Sequence, residues 1–243
     1  MIGRLLAAGL AARRGPGGTY PLVISRIAAL MLLGACTPTA RPLSGTPTTM
    51  SVPPTGLAAR PQQLRFTWSY KDETFEANGD GVVRAQAPDK ARLDFFLRNG
   101  MAGGYAILVG DSLTVPGIDL VRRFLPPVPL LWATLGRLAV PSTPDTVARA
   151  DGDTLRVDLG VLGRGDASKA EGRAWRVTFA GTTMVRVDRI ENRKVLEWIT
   201  RQRASTGQWE LRYVHEQANR SLRISVTDTL TVEGFDDAIW RRP

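Results

Sequence analysis

The sequence predicts a mainly β fold: a curved antiparallel sheet of about 10–11 strands forming an open, unclosed barrel with short helices over its mouth. Three observations predict it. From Gln62 onward, apolar side chains recur every second residue in one segment after another, the mark of half-buried strands. Turn residues separate the segments at short intervals, which suits sequential hairpins. One stretch in the middle, bounded by prolines, departs from that period and reads as helical. A sheet with one apolar face must bury it, and a single short helix cannot cover so many strands, so the sheet curls on itself.

The elements follow in order. Leu64, Phe66, Trp68 and Tyr70 share one face, with Arg65, Thr67, Ser69 and Lys71 on the other. Asp72-Glu73 is a turn. The next strand is expected to be broken at Asn78-Gly79-Asp80-Gly81, a turn or bulge signal. Pro88-Asp89-Lys90 turns the chain into Leu93, Phe95 and Leu97. A small-residue loop, Asn99 to Gly104, leads to Tyr105, Ile107 and Val109, and Gly110-Asp111 leads to Leu113 and Val115. Ile118 to Phe124 reads as a helical turn. Pro126 to Pro129 precedes a short helix through Leu138, which Gly136 weakens. Strands resume after Pro144, with Leu155 to Val161, Trp175 to Phe179, Met184 to Ile190 and Val195 to Arg203. Trp209, Leu211 and Tyr213 alternate next. Leu222, Ile224, Val226, Leu230 and Val232 share one face of the last strand, and Asp228 marks a bulge in it. A tail from Phe235 closes the chain.

The N-terminal part differs in kind. Arg26 precedes the apolar run Ile27 to Ala35, and small residues end it at Leu33-Gly34-Ala35-Cys36. A basic residue, a short apolar core and small residues at the cut describe a secretory signal. A cysteine directly after Leu-Gly-Ala resembles the lipobox of bacterial lipoproteins, which makes residues 1–35 a lipoprotein signal peptide and Cys36 the lipid-bearing residue. The leader before Arg26 is long, and a start at Val23 would give one of ordinary shape. A multiply acylated cysteine holds stably in a bilayer where a single chain holds marginally. Thr37 is not the aspartate that commonly retains such lipoproteins in the inner membrane, which implies the outer membrane. Residues 36–61, the lipidated cysteine and a Pro/Thr-rich segment, read as a linker without a packed core, spanning about 25–30 Å as a flexible coil. The folded domain is then 62–243.

Composition excludes several classes. The chain carries 32 basic and 23 acidic residues, a net charge of +9. Four of the arginines lie in residues 1–35, leaving a mild, dispersed balance that suits an anionic lipid surface and gives no nucleic-acid footprint. Cys36 is the only cysteine, so no intrachain disulfide forms. His215 is the only histidine, and its parity places it at the end of a buried face. No nucleophile elbow and no metal-ligand spacing occurs. Arg164-Gly165-Asp166 and the Gly100 to Gly104 loop lack the context that would make them recognition or phosphate motifs. The chain reads as a non-enzyme without a cofactor.

A family resemblance adds to this. Ala91-Arg92-Leu93-Asp94-Phe95-Phe96-Leu97, the loop Asn99 to Gly104, Tyr105-Ala106-Ile107-Leu108-Val109-Gly110-Asp111, Pro127-Val128-Pro129-Leu130-Leu131-Trp132, Gly136-Arg137-Leu138 and Pro141 occur in that order. In order and spacing this resembles the outer-membrane lipoprotein receptor LolB, within the LolA/LolB-like fold. The resemblance implies an eleven-stranded unclosed barrel, a helical lid, an acyl-chain ligand and delivery of lipoproteins from a periplasmic LolA-like carrier to the outer membrane. It implies a monomer. Met101 takes the place of the exposed leucine on a loop between early strands that the family carries, here without the preceding proline, and becomes the candidate membrane-inserting residue. The helix that precedes the first strand in the family is replaced by the Pro/Thr-rich segment. Phe66, Trp68, Phe95, Trp132, Trp175 and Trp209 are the candidate cavity-lining residues. The same inward side chains suit a lined cavity or a filled core. The alternative function is a structural or interaction lipoprotein of an envelope complex with no lipid ligand.

Overall fold

The computed structural model describes residues 38–98, 103–116, 119–140, 145–160 and 172–241. Residues 1–37, with Cys36, the loop residues 99–102, with Met101, and the Arg164-Gly165-Asp166 tripeptide lie outside the described residues. The described part contains thirteen strands. They are β1 (Thr46–Pro47), β2 (Gln62–Lys71), β3 (Glu76–Gln86), β4 (Lys90–Leu97), β5 (Gly104–Val109), β6 (Ser112–Thr114), β7 (Thr146–Asp151), β8 (Thr154–Gly160), β9 (Arg173–Ala180), β10 (Thr183–Glu191), β11 (Lys194–Arg203), β12 (Trp209–His215) and β13 (Arg220–Thr231). Two short helices, α1 (Asp119–Phe124) and α2 (Val128–Thr134), connect β6 to β7, and a 3₁₀ turn covers Asp237–Trp240.

All strands belong to one antiparallel sheet in the order β1-β7-β8-β9-β10-β11-β12-β13-β2-β3-β4-β5-β6. Apart from the β13–β2 closure and the β1–β7 pair, spatial neighbours are consecutive in sequence, as sequential hairpins require. β6 and β1 are the two edges, so the barrel is unclosed. The two helices lie on its inner side, α1 against β5 and β13 and α2 against β10 and β11. The count exceeds the expected one by β1 and β7. β7 reads Thr-Val-Ala-Arg-Ala-Asp, with Val147 exposed and its alanines half-buried. Two alanines on the inward face leave little hydrophobic period to detect.

The alternation of β2 becomes burial directly. Phe66, Trp68 and Tyr70 are buried while Arg65, Ser69 and Lys71 are exposed. Each such large side chain contributes about 1.5–3 kcal/mol when fully buried. The expected break at residues 78–81 does not occur: β3 is continuous and pairs with β2 without a shift from Gln62↔Ala85 to Lys71↔Glu76. Gly79 and Gly81 lie opposite Trp68 and Phe66. A Cβ at Gly81 would collide with the Phe66 ring, and one at Gly79 with the Phe96 carbonyl. These glycines are sites of close approach rather than turn residues. The bulge at Asp228 is present, as a register shift between Val226 and Asp228 against β2. The tail is anchored: Trp240 is buried, and Asp236 caps the 3₁₀ turn by accepting the Ala238 N–H at 2.8 Å.

Residues 38–60 lie along the sheet, which differs from the free linker their composition suggests. The Ala40 N–H donates to the Arg193 carbonyl at 2.7 Å. The Arg41 carbonyl accepts from Arg176 Nη1 at 2.6 Å, and β1 pairs with the edge strand β7. Thr55 Oγ1 accepts the Leu138 N–H at 2.9 Å, tying the segment to the chain just after α2. These contacts are all long-range, so no local period announces them.

Candidate functional site: a cavity at one end of the barrel

The barrel interior is filled at one end and hollow at the other. At the filled end the C-terminal half of β2 meets α1. Phe124 stacks on Trp68, with ring centroids 5.0 Å apart, and meets Phe95 edge-on at 5.0 Å. Tyr70 joins Phe124 at 5.6 Å. Such pairs each add about 0.5–1.5 kcal/mol beyond their burial. The polar groups there are saturated. Asp72 accepts from the Tyr70 hydroxyl at 2.6 Å and from Arg123 Nε and Nη2 at 2.7 and 2.9 Å. The Arg123 guanidinium, then the Tyr70 hydroxyl, hold the Asp72 carboxyl well below the usual carboxylate range. Burial, then the hydrogen bond to Asp72, pushes Tyr70 up to about 12.

At the other end lies a cavity of about 330 Å³, partly open to solvent. That volume is at the low end of the ~300–1,000 Å³ typical of small-molecule sites. Its walls come from the N-terminal half of β2 (Leu64, Phe66), the facing parts of β3 and β4 (Val83, Ala85, Leu93), and Leu211, Ile224 and Val226 of β12 and β13. Thr134 and Leu135 at the end of α2 cover one side, and Leu57 and Ala58 of the N-terminal segment cover another. Gln62, Thr229, Trp209, Arg201 and Arg203 make the polar part of the lining.

The end of α2 is shaped for this position. Leu135 caps the helix and Gly136 follows at φ +88°. The Gly136 N–H donates to the Ala133 carbonyl at 3.1 Å and the Arg137 N–H to the Trp132 carbonyl at 3.1 Å. This is the Schellman arrangement that glycine favours. A Cβ on Gly136 would stand 3.0 Å from Arg201 Nη1. The glycine that weakens the helix in the sequence therefore ends it in the structure and makes room for an arginine.

The structure brings together two of the six aromatic side chains named from the sequence: Phe66, buried, and Trp209, half-buried, both line the cavity. Trp68 and Phe95 belong to the filled end. Trp132 is fully buried, its Nε1 donating to the Gly110 carbonyl at 2.8 Å, so it pins α2 to the β5–β6 turn. Trp175 packs half-buried against the core. None of these four is among the side chains lining the cavity. Cys36 and Met101 lie outside the described residues; before the Met101 loop, Leu97 is half-buried and Phe96 is exposed.

Sequence reasoning missed Leu57 and Ala58, which sit in the supposed linker, and Arg201 and Arg203. The signal for the arginines is parity. Glu197, Ile199, Arg201 and Arg203 share one face of β11, opposite His215, Tyr213, Leu211 and Trp209 of β12. Ile199 and Tyr213 are buried on that face, so Arg201, half-buried, points inward with them, while Arg203 borders the cavity and is exposed. Glu197 is buried there too and is satisfied by the Tyr213 hydroxyl at 2.7 Å and by Arg189 Nη1 at 2.5 Å. Burial, then the charge and hydrogen bond of Glu197, raises Tyr213 far above its ordinary value. His215 is half-buried at the end of the same face, its Nδ1 accepting the Ala218 N–H at 3.3 Å, and burial lowers its pKa.

Among the described residues no three His, Cys, Asp or Glu side chains gather as a metal site, and no helix is long and apolar enough to cross a membrane.

No family model and no curated protein matches the sequence. Solved structures do show similarity. A LolA superfamily protein from Nitrosomonas europaea matches over 77% of this chain and 92% of its own, at 10% identity and a TM-score of 0.48. A structure from Vibrio parahaemolyticus described as an outer membrane lipoprotein-sorting protein domain matches over 76% and 91%, at 8% identity and 0.43. A DUF1329 family protein from Desulfovibrio piger matches over 75% and 90%, at 8% identity and 0.40. The similarity is distant, at low identity, and concerns the fold.

Proposed function

We propose that this protein is a lipid-anchored, non-enzymatic acyl-chain binder at the periplasmic face of the outer membrane, serving the localisation of lipoproteins. The observation that carries the reading is the cavity of about 330 Å³. It is left hollow at one end of a barrel whose other end is packed solid with aromatic rings. A chain entering it removes the apolar part of its lining from water, a gain of roughly 25 cal/mol per Å² of apolar surface covered. The lining suits an alkyl chain, with Leu57, Leu64, Phe66, Val83, Leu93 and Leu211 presenting hydrocarbon. An acyl chain needs no hydrogen bonds along its length, and each buried methylene contributes about 0.8 kcal/mol.

The lipobox-like Leu33-Gly34-Ala35-Cys36 supports the anchor, with Cys36 as the acylated residue. In this reading Met101 is the tip that enters the bilayer surface. A periplasmic carrier of the same fold is the partner from which cargo is received.

The purified, delipidated protein is expected to bind a fluorescent fatty acid saturably at one site, and Leu211→Trp, which fills the hollow, is expected to abolish binding. Absence of saturable binding, or binding unaffected by the filled cavity, would overturn the reading. Mass spectrometry of the protein from membranes tests the anchor separately through a diacylglyceryl-sized mass addition at Cys36.

A further inference from the structure

Arginines are abundant in this barrel, and most of the inner and covered ones face a carboxylate. Arg176 grips Asp158 with Nε and Nη2 at 2.7 and 2.9 Å. Arg186 meets Asp188 at 2.6 Å, Arg189 meets Glu197, and Arg84 and Arg92 share Asp94. Among the described residues Arg201 and Arg203 form no ion pair, and no described Asp or Glu lines the cavity they help to form. Both guanidinium groups lie over the Trp209 ring, at 4.3 and 4.5 Å from its centroid. Arg203 Nη1 also donates to the Gly207 carbonyl at 2.6 Å. Arg201 Nε is buried with no acceptor. Among the described residues the wall of the cavity thus mixes hydrocarbon with Gln62, Thr134, Thr229 and Trp209, and its charges are two adjacent cations.

A desolvated guanidinium without a counter-ion is costly. Stacking on an indole offsets part of that cost, and the C-terminal end of α2 beside Arg201 contributes partial negative charge. Neither supplies an acceptor for Nε. A ligand that brings a carboxylate or phosphate to this place supplies both the acceptor and the charge, in the bidentate geometry that arginine favours. The volume limits the remainder of the ligand. With a methylene close in size to a water molecule's ~30 Å³ share of liquid, the cavity holds on the order of ten methylenes, which is one chain rather than several.

We infer that the cavity takes a single-chain anionic amphiphile, its tail against Leu64, Phe66 and Leu211 and its carboxylate or phosphate held by Arg201 and Arg203. This rests on the acyl-chain reading of the cavity and adds the head group to it. The cations' effect on each other agrees. Burial, then repulsion by Arg203, lowers Arg201 to about 10, as expected of a cation that no carboxylate faces among the described residues.

The test is calorimetric titration of the full, delipidated chain with dodecanoate, dodecyl phosphate and neutral dodecanol. The anions are expected to bind at least tenfold more tightly than the alcohol, and this preference is expected to collapse toward one in Arg201→Met and to fall severalfold in Arg203→Met. The tighter of the two anions separates a fatty-acid from a phospholipid-type head group. Equal affinity for dodecanoate, dodecyl phosphate and dodecanol overturns the head-group site while leaving the acyl-chain reading intact. A preference unchanged in both variants does the same. Binding of none of the three ligands by the unaltered protein overturns both. Should Arg201→Met fail to fold, Arg203→Met and suppression of the preference by salt carry the test.

Discussion

The two ends of the barrel use the same ingredients, aromatic rings and arginines, to opposite ends. At the filled end Phe124 closes against Trp68, Tyr70 and Phe95, and Arg123 is neutralised by Asp72 within the chain. At the hollow end aliphatic side chains and Phe66 share the wall with polar groups, the Trp209 ring is stacked by two arginines, and among the described residues no carboxylate answers them. The difference teaches that filling and pairing go together. Where the chain supplies its own counter-charge and its own rings, the interior is complete. Where it supplies no counter-charge and fewer rings, space and charge remain for something else.

The sharpest way to break this comparison is to hollow the filled end. Phe124→Ala removes a ring that touches three others and is expected to cost about 3–5 kcal/mol in chemical denaturation. Leu64→Ala, at the half-buried cavity wall, should cost about 2 kcal/mol or less while weakening dodecanoate. Equal losses at the two sites would mean that the ends are packed alike. Gly136→Ala forces a side chain into a left-handed conformation against Arg201 and should cost about 1–2 kcal/mol, with a fall in anion preference measured in the same titrations. The two arginines should respond with opposite sign in the ligand-free protein. Arg201→Met relieves an unpaired buried cation and should raise stability by about 1 kcal/mol, whereas Arg123→Met strands Asp72 and should lower the melting temperature.

The smallest effect is the most specific in pH. The folded carboxyl of Asp72 titrates below its unfolded counterpart, so it contributes stability that is fully present above the unfolded value of about 3.9 and is lost as pH falls through the folded one. The advantage of the unaltered protein over Asp72→Asn should be constant near neutrality and shrink progressively below about pH 4, in thermal melts read by circular dichroism. An advantage that persisted unchanged at the acidic end would remove Arg123 and Asp72 from the account of the filled end.

Much of the sheet was legible because its signal is local. The inward parity of β2, β8, β9, β12 and β13 can be read from five or six neighbouring residues, and Asp228 betrays its bulge by interrupting that parity. The errors arise where one residue type serves two physical ends. Gly79 and Gly81 look like turn residues, yet Gly81 is space for the Phe66 ring and Gly79 for the Phe96 carbonyl on neighbouring strands, partners that their own strand does not reveal. Residues 38–60 have no period because a strap bonds to distant edges rather than to itself. The cavity was the least legible feature: Trp68, Phe95 and Trp132 are as apolar as Phe66 and Leu64, and whether an inward ring meets another ring or a void depends on what crosses from the far side.

By itself the sequence determined the period-two alternation that makes an antiparallel sheet, the apolar face that makes it curl, the absence of hydrolytic spacings, and the address-like Leu33 to Cys36. Only the tertiary structure decided which end of the barrel α1 would fill, that α2 would stop at Gly136 beside Arg201, and that Arg201 and Arg203 would face a hollow without an acid. The physical reason is range. Backbone pairing and alternation are set by neighbours a few residues apart, whereas a void and an unpaired charge are properties of surfaces brought together from β2, α2, β11, β12 and β13 at once.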